Sequence, residues 1–587
     1  MATKATTPTS ITKFLGLNMN NSSDTQLIPG ESPRMKNFRI TNDYKLKKTN
    51  GYKKICDIAT NKNIRHIGKY TIAGSSYLIV VANGNIYTIS GGTATSIGTL
   101  TDDVTSVFEF NDKLYFINGH EYKKWNGTTL DTVDGYIPLV KIGTTPLGVG
   151  TDFEGVNMLT GKKHMTFSAD GSSKDFYLAE VNVDSIDSVY VNGTEVTSGI
   201  TKDTTNGKLS FTNAPALGTD NVDIYWTKDN NTRSAITSNK YICTYGVSND
   251  TRVLMYGNSA APNRIVFSDF GNIGTPNVEY FPALNFWDIG STDEPVTDIN
   301  RQYDRLVIST TNQTYYAVYE TSEVDGNIVV QFPTYPLNSS HGMVAYGQGQ
   351  LLDNYVTTID SSIAMWTNTQ VKDERNVQII SDKIQTWLNE KDLSKAITMD
   401  YQSIKEYWLA IDKEVMIYNY QTGTFYLLEL PKKVTYLYCD GLDIYMGMED
   451  GSIYEWDEKA TTYDGEIIDA IWESGYYDFE AEYLRKTMRI VWLGLKPFSR
   501  TSLDISYISD RDSATQVEHI ETQTTDFASI DFSDFTFNTQ RVIKPFRIKL
   551  KAKKFTFLKI IIANNNRQDR LLINTMTIKK IYGGESK

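Results

Sequence analysis

The chain has 587 residues, which is too long for one ordinary domain and long enough for a large core with additional modules. Its 37 tyrosines, 24 phenylalanines and 9 tryptophans, with 40 glycines, favour many short strands joined by turns. Three widely spaced cysteines exclude a disulfide framework and a cysteine-rich zinc site, and no apolar run is long enough to cross a bilayer, so we expect no membrane insertion.

Residues 1–54 show little regular pattern and carry strong positive charge. Ten basic residues oppose three acidic ones there, a net charge of +7, and residues 541–587 carry thirteen against two, a net charge of +11. Because the whole chain has a net charge of −12, the remainder carries −30. Two basic ends on an acidic body favour docking onto acidic partners, although solvated strand faces explain the same charges. The polar start lacks the apolar region of a signal peptide, so we expect no export by that route.

From about residue 64 a unit recurs in which two alternating strands flank a turn such as Asn83-Gly84 or Asn111-Asp112. Turns of this composition predict hairpins. Seven hairpins spaced unevenly around about forty residues are typical of propeller blades without a strict repeat. They are Tyr77–Val81 with Ile86–Ile89, Val107–Phe110 with Leu114–Ile117, Arg252–Tyr256 with Ile265–Phe267, Leu306–Ile308 with Thr314–Val318, Tyr355–Ile359 with Ile363–Trp366, Tyr407–Ile411 with Val415–Tyr418, and Ile444–Met446 with Ile453–Trp456.

The spacing of these units breaks between residues 141 and 235. Alternating strands in this stretch predict a small inserted β-sandwich, which a surface loop tolerates because lengthening a loop costs little entropy. The strands are Met165–Phe167, Phe176–Leu178, Val189–Val191, Leu209–Phe211 and Val222–Trp226.

One segment predicts a helix, Lys383–Asn389 with an extension toward Lys395, preceded by Ser381 and Asp382 as N-cap candidates. After Trp472 longer strands predict a C-terminal β-sandwich. They are Met488–Leu495, Leu503–Ile508, Phe546–Leu550, Phe555–Ile562 and Leu571–Ile581.

Catalytic motifs are not found in the sequence. The five histidines (His66, His120, His164, His341 and His519) lack zinc-helix spacing, and there is no phosphate loop, nucleophile elbow or dinucleotide fingerprint. We therefore predict no enzyme, and no catalytic, cofactor-binding or metal-binding residues. A glycosidase needs only two carboxyls at the right separation, so the sequence neither supports nor excludes one. Aromatic residues in strands, such as Tyr407 and Trp408, are expected to be core packing rather than a sugar platform.

Charged and apolar residues alternate between Lys544 and Lys554. On a strand this spacing places Arg547, Lys549, Lys551 and Lys553 on one face. Such a row binds phosphates or an acidic protein surface, and it also protects a sheet edge from aggregation. We favour an edge or a protein contact over DNA.

Several short segments resemble bacteriophage tail proteins described as stabilization proteins. They are Phe14–Asn18, Leu27–Phe38, Lys45–Tyr52, Tyr241–Tyr256, Ala261–Arg264 with Phe267-Ser268, Tyr280–Pro282, and Tyr407–Ala410 with Tyr418–Tyr420. This family is similar to the β-propeller hub, nozzle or muzzle proteins at the distal end of short phage tails.

The resemblance implies a structural protein of the virion tail, assembled in the host bacterial cytoplasm as a ring of about six copies. Its expected partners are the portal and head–tail adaptor proteins, tail fibres or spikes, and genomic DNA that passes through the lumen without sequence-specific binding. No cofactor is expected. The alternative is a propeller that binds or depolymerises host-surface carbohydrate, and a further alternative is a cellular propeller scaffold, whose strict repeats are not found.

The predicted fold is thus all-β. Residues 55–140 and 236–470 would form a propeller of about six or seven blades, residues 141–235 the inserted sandwich and residues 471–587 the C-terminal β-domain. Residues 1–54 would form an extended arm that lies across the next subunit of the ring. Their deletion is then expected to give folded monomers.

Overall fold

The computed structural model describes residues 7–20, 27–58, 63–247, 250–271, 274–324, 327–366, 376–496, 498, 500–511, 517–523, 543–565 and 568–585. Within these residues the fold is almost entirely β, as predicted. The chain divides into two compact units. The first comprises Met1–Gly68, Ser90–Ala94 and Val344–Lys587, and the second comprises Lys69–Ile89 and Thr95–Met343.

Seven short strands run through the N-terminal segment. They are β1 (Thr7–Ile11), β2 (Gly16–Leu17), β3 (Glu31–Ser32), β4 (Arg34–Lys36), β5 (Phe38–Ile40), β6 (Leu46–Lys48) and β7 (Gly51–Asp57). β2 pairs in parallel with β3, and β5 pairs antiparallel with β6.

Two four-stranded sheets follow, each with its strands in chain order. The first contains β8 (Ile64–Ile72), β9 (Ser75–Ala82), β10 (Asn85–Ser90) and β11 (Thr93–Thr99), and the second contains β12 (Ser106–Phe110), β13 (Lys113–Ile117), β14 (Tyr122–Trp125) and β15 (Leu130–Thr132). Asn83 and Gly84 have φ values of 51° and 67°, and Asn111 and Asp112 have 47° and 54°. Two consecutive positive φ values are those of a type I′ turn, which explains the residues found there.

The stretch predicted to be inserted contains nine strands. They are β16 (Leu139–Thr144), β17 (Thr151–Asp152), β18 (Lys162–Ala169), β19 (Asp175–Tyr177), β20 (Ser185–Val191), β21 (Thr194–Glu195), β22 (Ile200–Asp203), β23 (Lys208–Phe211) and β24 (Gly218–Thr227). One sheet has the order β17-β16-β18-β24-β20-β21, and the other has the order β19-β23-β22. The two sheets enclose one core that includes Phe167, Phe176 and Trp226. The five predicted strands are all present, and a short helix that was not predicted, α1 (Ser234–Thr237), follows.

The second unit ends with two more four-stranded sheets. One contains β25 (Tyr241–Val247), β26 (Asp250–Tyr256), β27 (Arg264–Phe267) and β28 (Phe286–Asp288). The strands of the next are β29 (Val296–Gln302), β30 (Arg305–Thr310), β31 (Thr314–Val318) and, after a separate hairpin of β32 (Glu320–Val324) and β33 (Asn327–Gln331), β34 (Thr334–Asn338).

The first unit resumes with a sheet of β35 (Leu351–Leu352), β36 (Tyr355–Ile359), β37 (Ile363–Trp366) and β38 (Val377–Ile379). The predicted helix follows as a 3-10 turn, Asp382–Ile384, and α2 (Gln385–Asn389), and a second 3-10 turn covers Leu393–Lys395. Ile384, Trp387 and Leu388 are buried. Ser381 stands at the predicted N-cap position, but its side chain makes no capping hydrogen bond. Its hydroxyl instead accepts a hydrogen bond from the backbone N–H of Ile363.

Two further meanders complete the series. One contains β39 (Ile397–Tyr401), β40 (Glu406–Ile411), β41 (Glu414–Asn419) and β42 (Thr424–Glu429), and the other contains β43 (Val434–Cys439), β44 (Ile444–Met448) and β45 (Ser452–Asp457). The N-terminal strand β7 pairs antiparallel with β45 and supplies the fourth strand of the last sheet. A small hairpin of β46 (Thr462–Tyr463) and β47 (Glu466–Ile467) extends this sheet beyond β7.

The described chain therefore contains seven four-stranded antiparallel meanders, and each predicted hairpin lies in a different one. Tyr407 and Trp408 are buried core residues, as predicted.

The C-terminal strands belong to two sheets. They are β48 (Ala470–Glu473), β49 (Leu484–Leu495), β50 (Arg500–Ser509), β51 (Glu518–Gln523), β52 (Lys544–Ile548), β53 (Ala552–Phe555), β54 (Leu558–Asn564) and β55 (Leu572–Glu585). One sheet runs β5-β6-β55-β49-β52, with β1 on β55 and β53 on β49, and the other runs β39-β40-β41-β42-β4-β48-β54-β50-β51. The single strand predicted over Phe555–Ile562 is two strands in different sheets.

The strands of the N-terminal segment thus pair with distant strands of the same chain. β1 pairs with β55, β4 lies between β42 and β48, and β7 pairs with β45. The described residues of the predicted arm are held by strands of the first unit. The four-part domain division and a contact between the arm and a neighbouring subunit stay predictions.

Candidate interaction surfaces

The positive charges of the N-terminal segment face carboxylates of the same unit. Arg34 lies 2.8 Å from Glu473, Lys36 pairs with Glu429, and Lys53 pairs with Asp457. Lys48 donates to the side-chain oxygen of Asn564 at 2.5 Å. Much of the basic N-terminal charge is therefore neutralised within the chain, and less of it is available to dock an acidic partner than the sequence suggested.

The most deeply buried of these pairs is Arg39 with Glu406. A guanidinium nitrogen of Arg39 lies 2.6 Å from each carboxylate oxygen, and both side chains are buried. Tyr426 and Trp408 also donate to the carboxylate, and the Trp456 ring lies 5.9 Å from the guanidinium carbon. Burial opposes the charge on Arg39, but the attraction of Glu406 raises the pKa of Arg39 overall. The group is a structural anchor, since neither side chain is accessible to a substrate.

The basic row predicted near the C-terminus is exposed. Arg547, Lys549, Lys551 and Lys553 face solvent, while Ile548, Leu550 and Ala552 between them are buried. β52 is an edge strand of its sheet, as favoured from the sequence. The row is not one continuous strand, because β52 ends at Ile548 and β53 begins at Ala552, where the pairing with β49 shifts register. The four basic residues thus lie on a solvent-exposed edge of the sheet.

A second exposed surface lies at one end of the inserted strands. β16 runs parallel to β18, so the loop after β16 lies at the same end as the loop before β24. Leu147 and Val149 in the first loop are 77% and 71% exposed, and Leu217 in the second is 80% exposed. Three large apolar side chains are therefore exposed in loops at the same end of these strands.

No set of three or more His, Cys, Asp or Glu side chains in the described residues could hold a metal ion. His66 is bonded to Tyr436, His164 to Asp223 and His519 to Asp504, so these histidines lie apart. Burial raises the pKa of the Cys56 thiol to about 11 and that of Cys243 to about 12, which suppresses the reactive thiolate. In the same ranges, no helix is long and apolar enough to cross a membrane.

Asp400 is the carboxyl with the clearest perturbation. Burial raises its pKa to about 6, although the hydrogen bond that Tyr420 donates to it lowers the pKa. Its neighbour Asp353 is held by Lys405, which supplies a local counter-charge. A carboxyl with a pKa near 6 resembles a general acid, but the tyrosine and lysine partners form a local structural network.

Two cavities of the first unit have many charged residues in their walls. An open one of about 670 Å³ is lined by Tyr401, Trp456, the acidic residues Asp443, Glu455, Asp457 and Glu458, and the basic residues Lys53 and Lys459. The other, about 260 Å³, lies among basic side chains that include Lys47, Lys48, Lys496 and Arg570. Neither cavity was predicted from the sequence, since each is assembled from segments that are far apart in the chain.

No family model matches this chain, and no curated protein matches it. Solved structures give weak likenesses. BamB from Moraxella catarrhalis is 11% identical over 78% of this chain and 98% of its own, with a TM-score of 0.35, and the AfRom2 CNH domain is 8% identical over 69% and 99%, also with a TM-score of 0.35. The computationally designed Ika8 protein is 11% identical over 69% and 99%, with a TM-score of 0.31. These values are too low to define the fold or function of this chain.

Proposed function

We propose that the seven meanders are the blades of a seven-bladed β-propeller. Each contains four antiparallel strands, which is the composition of a propeller blade. The seventh is completed by β7, which precedes the first meander in the chain. In a closed propeller, an N-terminal strand that completes the last blade would join the two ends of the ring.

On this architecture, the protein acts as a structural component of a phage virion tail, a hub or nozzle ring around the DNA-ejection channel. The observation that carries the proposal is the role of the residues behind the family resemblance. Phe14 is fully buried edge-on against Trp472, with ring centroids 5.4 Å apart. The Asn37 side chain donates to the carbonyl of Asp469 and accepts from the backbone N–H of Glu429. The resemblance thus falls on residues that hold the N-terminal segment in place, which supports a shared architecture.

The exposed surfaces suit the partners expected of such a ring. The basic row on β52 and β53 is proposed to dock an acidic surface of an adaptor protein, and the apolar tip formed by Leu147, Val149 and Leu217 to dock a fibre or spike. The negative body would repel DNA in the lumen, which favours passage without sequence-specific binding. The described N-terminal strands are paired within the chain, and a contact of residues 1–54 with the next subunit of the ring stays a prediction. No catalytic turnover and no cofactor are part of this role.

Native mass spectrometry of the full chain, with and without portal and adaptor proteins, tests the proposal. We expect a closed ring whose mass is an integral multiple of 66.3 kDa, alone or on the adaptor. A monomer that ignores the adaptor would refute it.

Charge reversal tests the docking surface separately. Arg547→Glu, Lys549→Glu and Lys553→Glu together should weaken adaptor binding. Reversal of three exposed lysines elsewhere, Lys162, Lys413 and Lys459, is the matched control. Equal loss in both variants would mean that net charge, and not this row, drives docking.

The open acidic cavity favours a second candidate, binding of host-surface carbohydrate. Tyr401 and Trp456 lie in its wall among carboxylates, which is the composition of sugar sites. Both aromatic side chains are less than a tenth exposed, so little ring face is open for stacking. Glycan-array binding and polysaccharide hydrolysis distinguish the two candidates, and the tail proposal predicts neither.

A further inference from the structure

The smaller cavity of the first unit is built from four segments of the chain. Its wall contains residues of β6 and the flanking turns, Glu458 with Ala460 and Thr461, Lys496 with Phe498, and residues 569–572. Thr49 and Asn50 in this wall are 4% and 6% exposed. Its volume of about 260 Å³ is below that of ordinary drug-sized ligand sites, so it suits a small ligand.

Two buried polar atoms in its wall have no hydrogen-bond partner among the described residues. They are the Thr49 hydroxyl oxygen and the Asn50 amide nitrogen. Buried polar atoms are nearly always bonded, and leaving one unpaired is costly. The asparagine amide can only donate, and the threonine hydroxyl is able to donate as well, so the missing partner is one that accepts.

The charges around the cavity also favour a ligand that accepts hydrogen bonds, in this case a negatively charged one. Lys47, Lys48, Lys496 and Arg570 outnumber the two acidic residues, Glu458 and Asp569. Asp569 already accepts a hydrogen bond from Ser502, and Lys48 is bonded to Asn564.

Burial is the main cause that lowers the pKa of Lys47, followed by the positive charge of Arg39 outside the cavity wall. Within the wall, Glu458 raises this pKa and Arg570 lowers it. An anion bound beside Lys47 would favour its charged form.

We propose that this cavity binds a small oxyanion, either inorganic phosphate or the phosphate group of a small phosphomonoester. Such a group has several acceptor oxygens for the donors of Thr49, Asn50, Lys47, Lys496 and Arg570, more than a carboxylate offers. The site is independent of the proposed tail function, because no residue of the basic row or of the apolar tip lies in its wall.

Isothermal titration calorimetry on the full chain tests the proposal with inorganic phosphate, glycerol phosphate and acetate. We expect one phosphate-bearing ligand per chain and no binding of acetate. Tighter binding of inorganic phosphate identifies the free ion as the ligand, and tighter binding of glycerol phosphate identifies a phosphomonoester.

Two variants test whether phosphate binds in this cavity. Lys496→Met and Arg570→Met should each weaken binding by about tenfold or more, since each removes a charged donor. Lys459→Met removes a nearby exposed charge outside the cavity wall and should leave the affinity unchanged. Both test residues are exposed, so the variants should still fold, which circular dichroism will verify. Absence of phosphate binding, equal binding of acetate, or equal affinity of all three variants would overturn the proposal.

Discussion

Arg39 of the N-terminal strand β5 contacts both carboxylate oxygens of Glu406 in strand β40 at 2.6 Å, across 367 residues of sequence. Replacing Glu406 by glutamine leaves a buried guanidinium without a counter-charge. We expect Glu406→Gln to lower the free energy of unfolding by about 3–5 kcal/mol, measured by urea denaturation. Arg34→Met in the same segment removes a pair whose arginine is largely exposed and should cost less than about 1 kcal/mol. Similar losses in both variants would mean that the buried pair is not the anchor.

Gly16 and Gly74 share a φ of +78° but differ in their surroundings. A Cβ at Gly16 would lie 2.4 Å from the backbone oxygen of Phe425, whereas one at Gly74 would meet nothing within 4 Å. Gly74→Ala should lower the free energy of unfolding by about 1–2 kcal/mol, because alanine disfavours the left-handed backbone conformation. Gly16→Ala adds a steric clash, so we expect its loss of free energy of unfolding to be about 1–3 kcal/mol larger. Thermal unfolding of the two variants measures the difference, and equal losses would contradict the close approach of β2 to β42.

His66 should make stability depend on acidity. Burial lowers its pKa from 6.5 to about 3, so between these values the unfolded chain binds a proton that the folded chain does not. The neutral His66 therefore contributes fully to the free energy of unfolding above pH 6.5. This contribution is lost as the pH falls toward 3, by about 1.4 kcal/mol per pH unit at most.

The His66→Phe variant isolates this contribution from that of the carboxyls. The raised pKa of Asp400, for example, gives the opposite trend, because the folded state then holds the extra proton. Urea denaturation between pH 7 and pH 4.5 should show a shallower loss of stability in the variant. Parallel curves for the two proteins would show that His66 titrates normally.

The inserted strands should fold without the rest of the chain. Residues 137–231 contain two sheets around a core of their own, with Phe176 and Trp226 fully buried. We expect this fragment to unfold in one cooperative urea transition, and Phe176→Ala to lower its stability by about 3–5 kcal/mol. Substituting the exposed tip residue Leu217 by serine should change stability by less than about 0.5 kcal/mol. A fragment without a cooperative transition would show that these strands depend on the surrounding unit.

Local signals in the sequence predicted the meanders, because Asn83-Gly84 and Asn111-Asp112 need the positive φ values that their turns adopt. The pairing of the N-terminal strands with distant strands could not be predicted from such local signals. The partners of Arg39 and Gly16 are hundreds of residues away, and each strand of the segment is too short to show a period. One signal was present, since Arg39 stands between the buried residues Phe38 and Ile40, and a charge inside an apolar strand needs a buried partner.

The pairing of β1 with β55 has a consequence for synthesis of the protein. Thr7 leaves the ribosome long before its partner Lys580, whereas the second unit contains only residues 69–89 and 95–343. The second unit can therefore fold during translation, while the first must wait for the synthesis of β55. Sequence-distant pairings also fold slowly. A chain that stops before β55 would leave β1 without its partner strand, so the first unit acts as a check that translation has passed this strand.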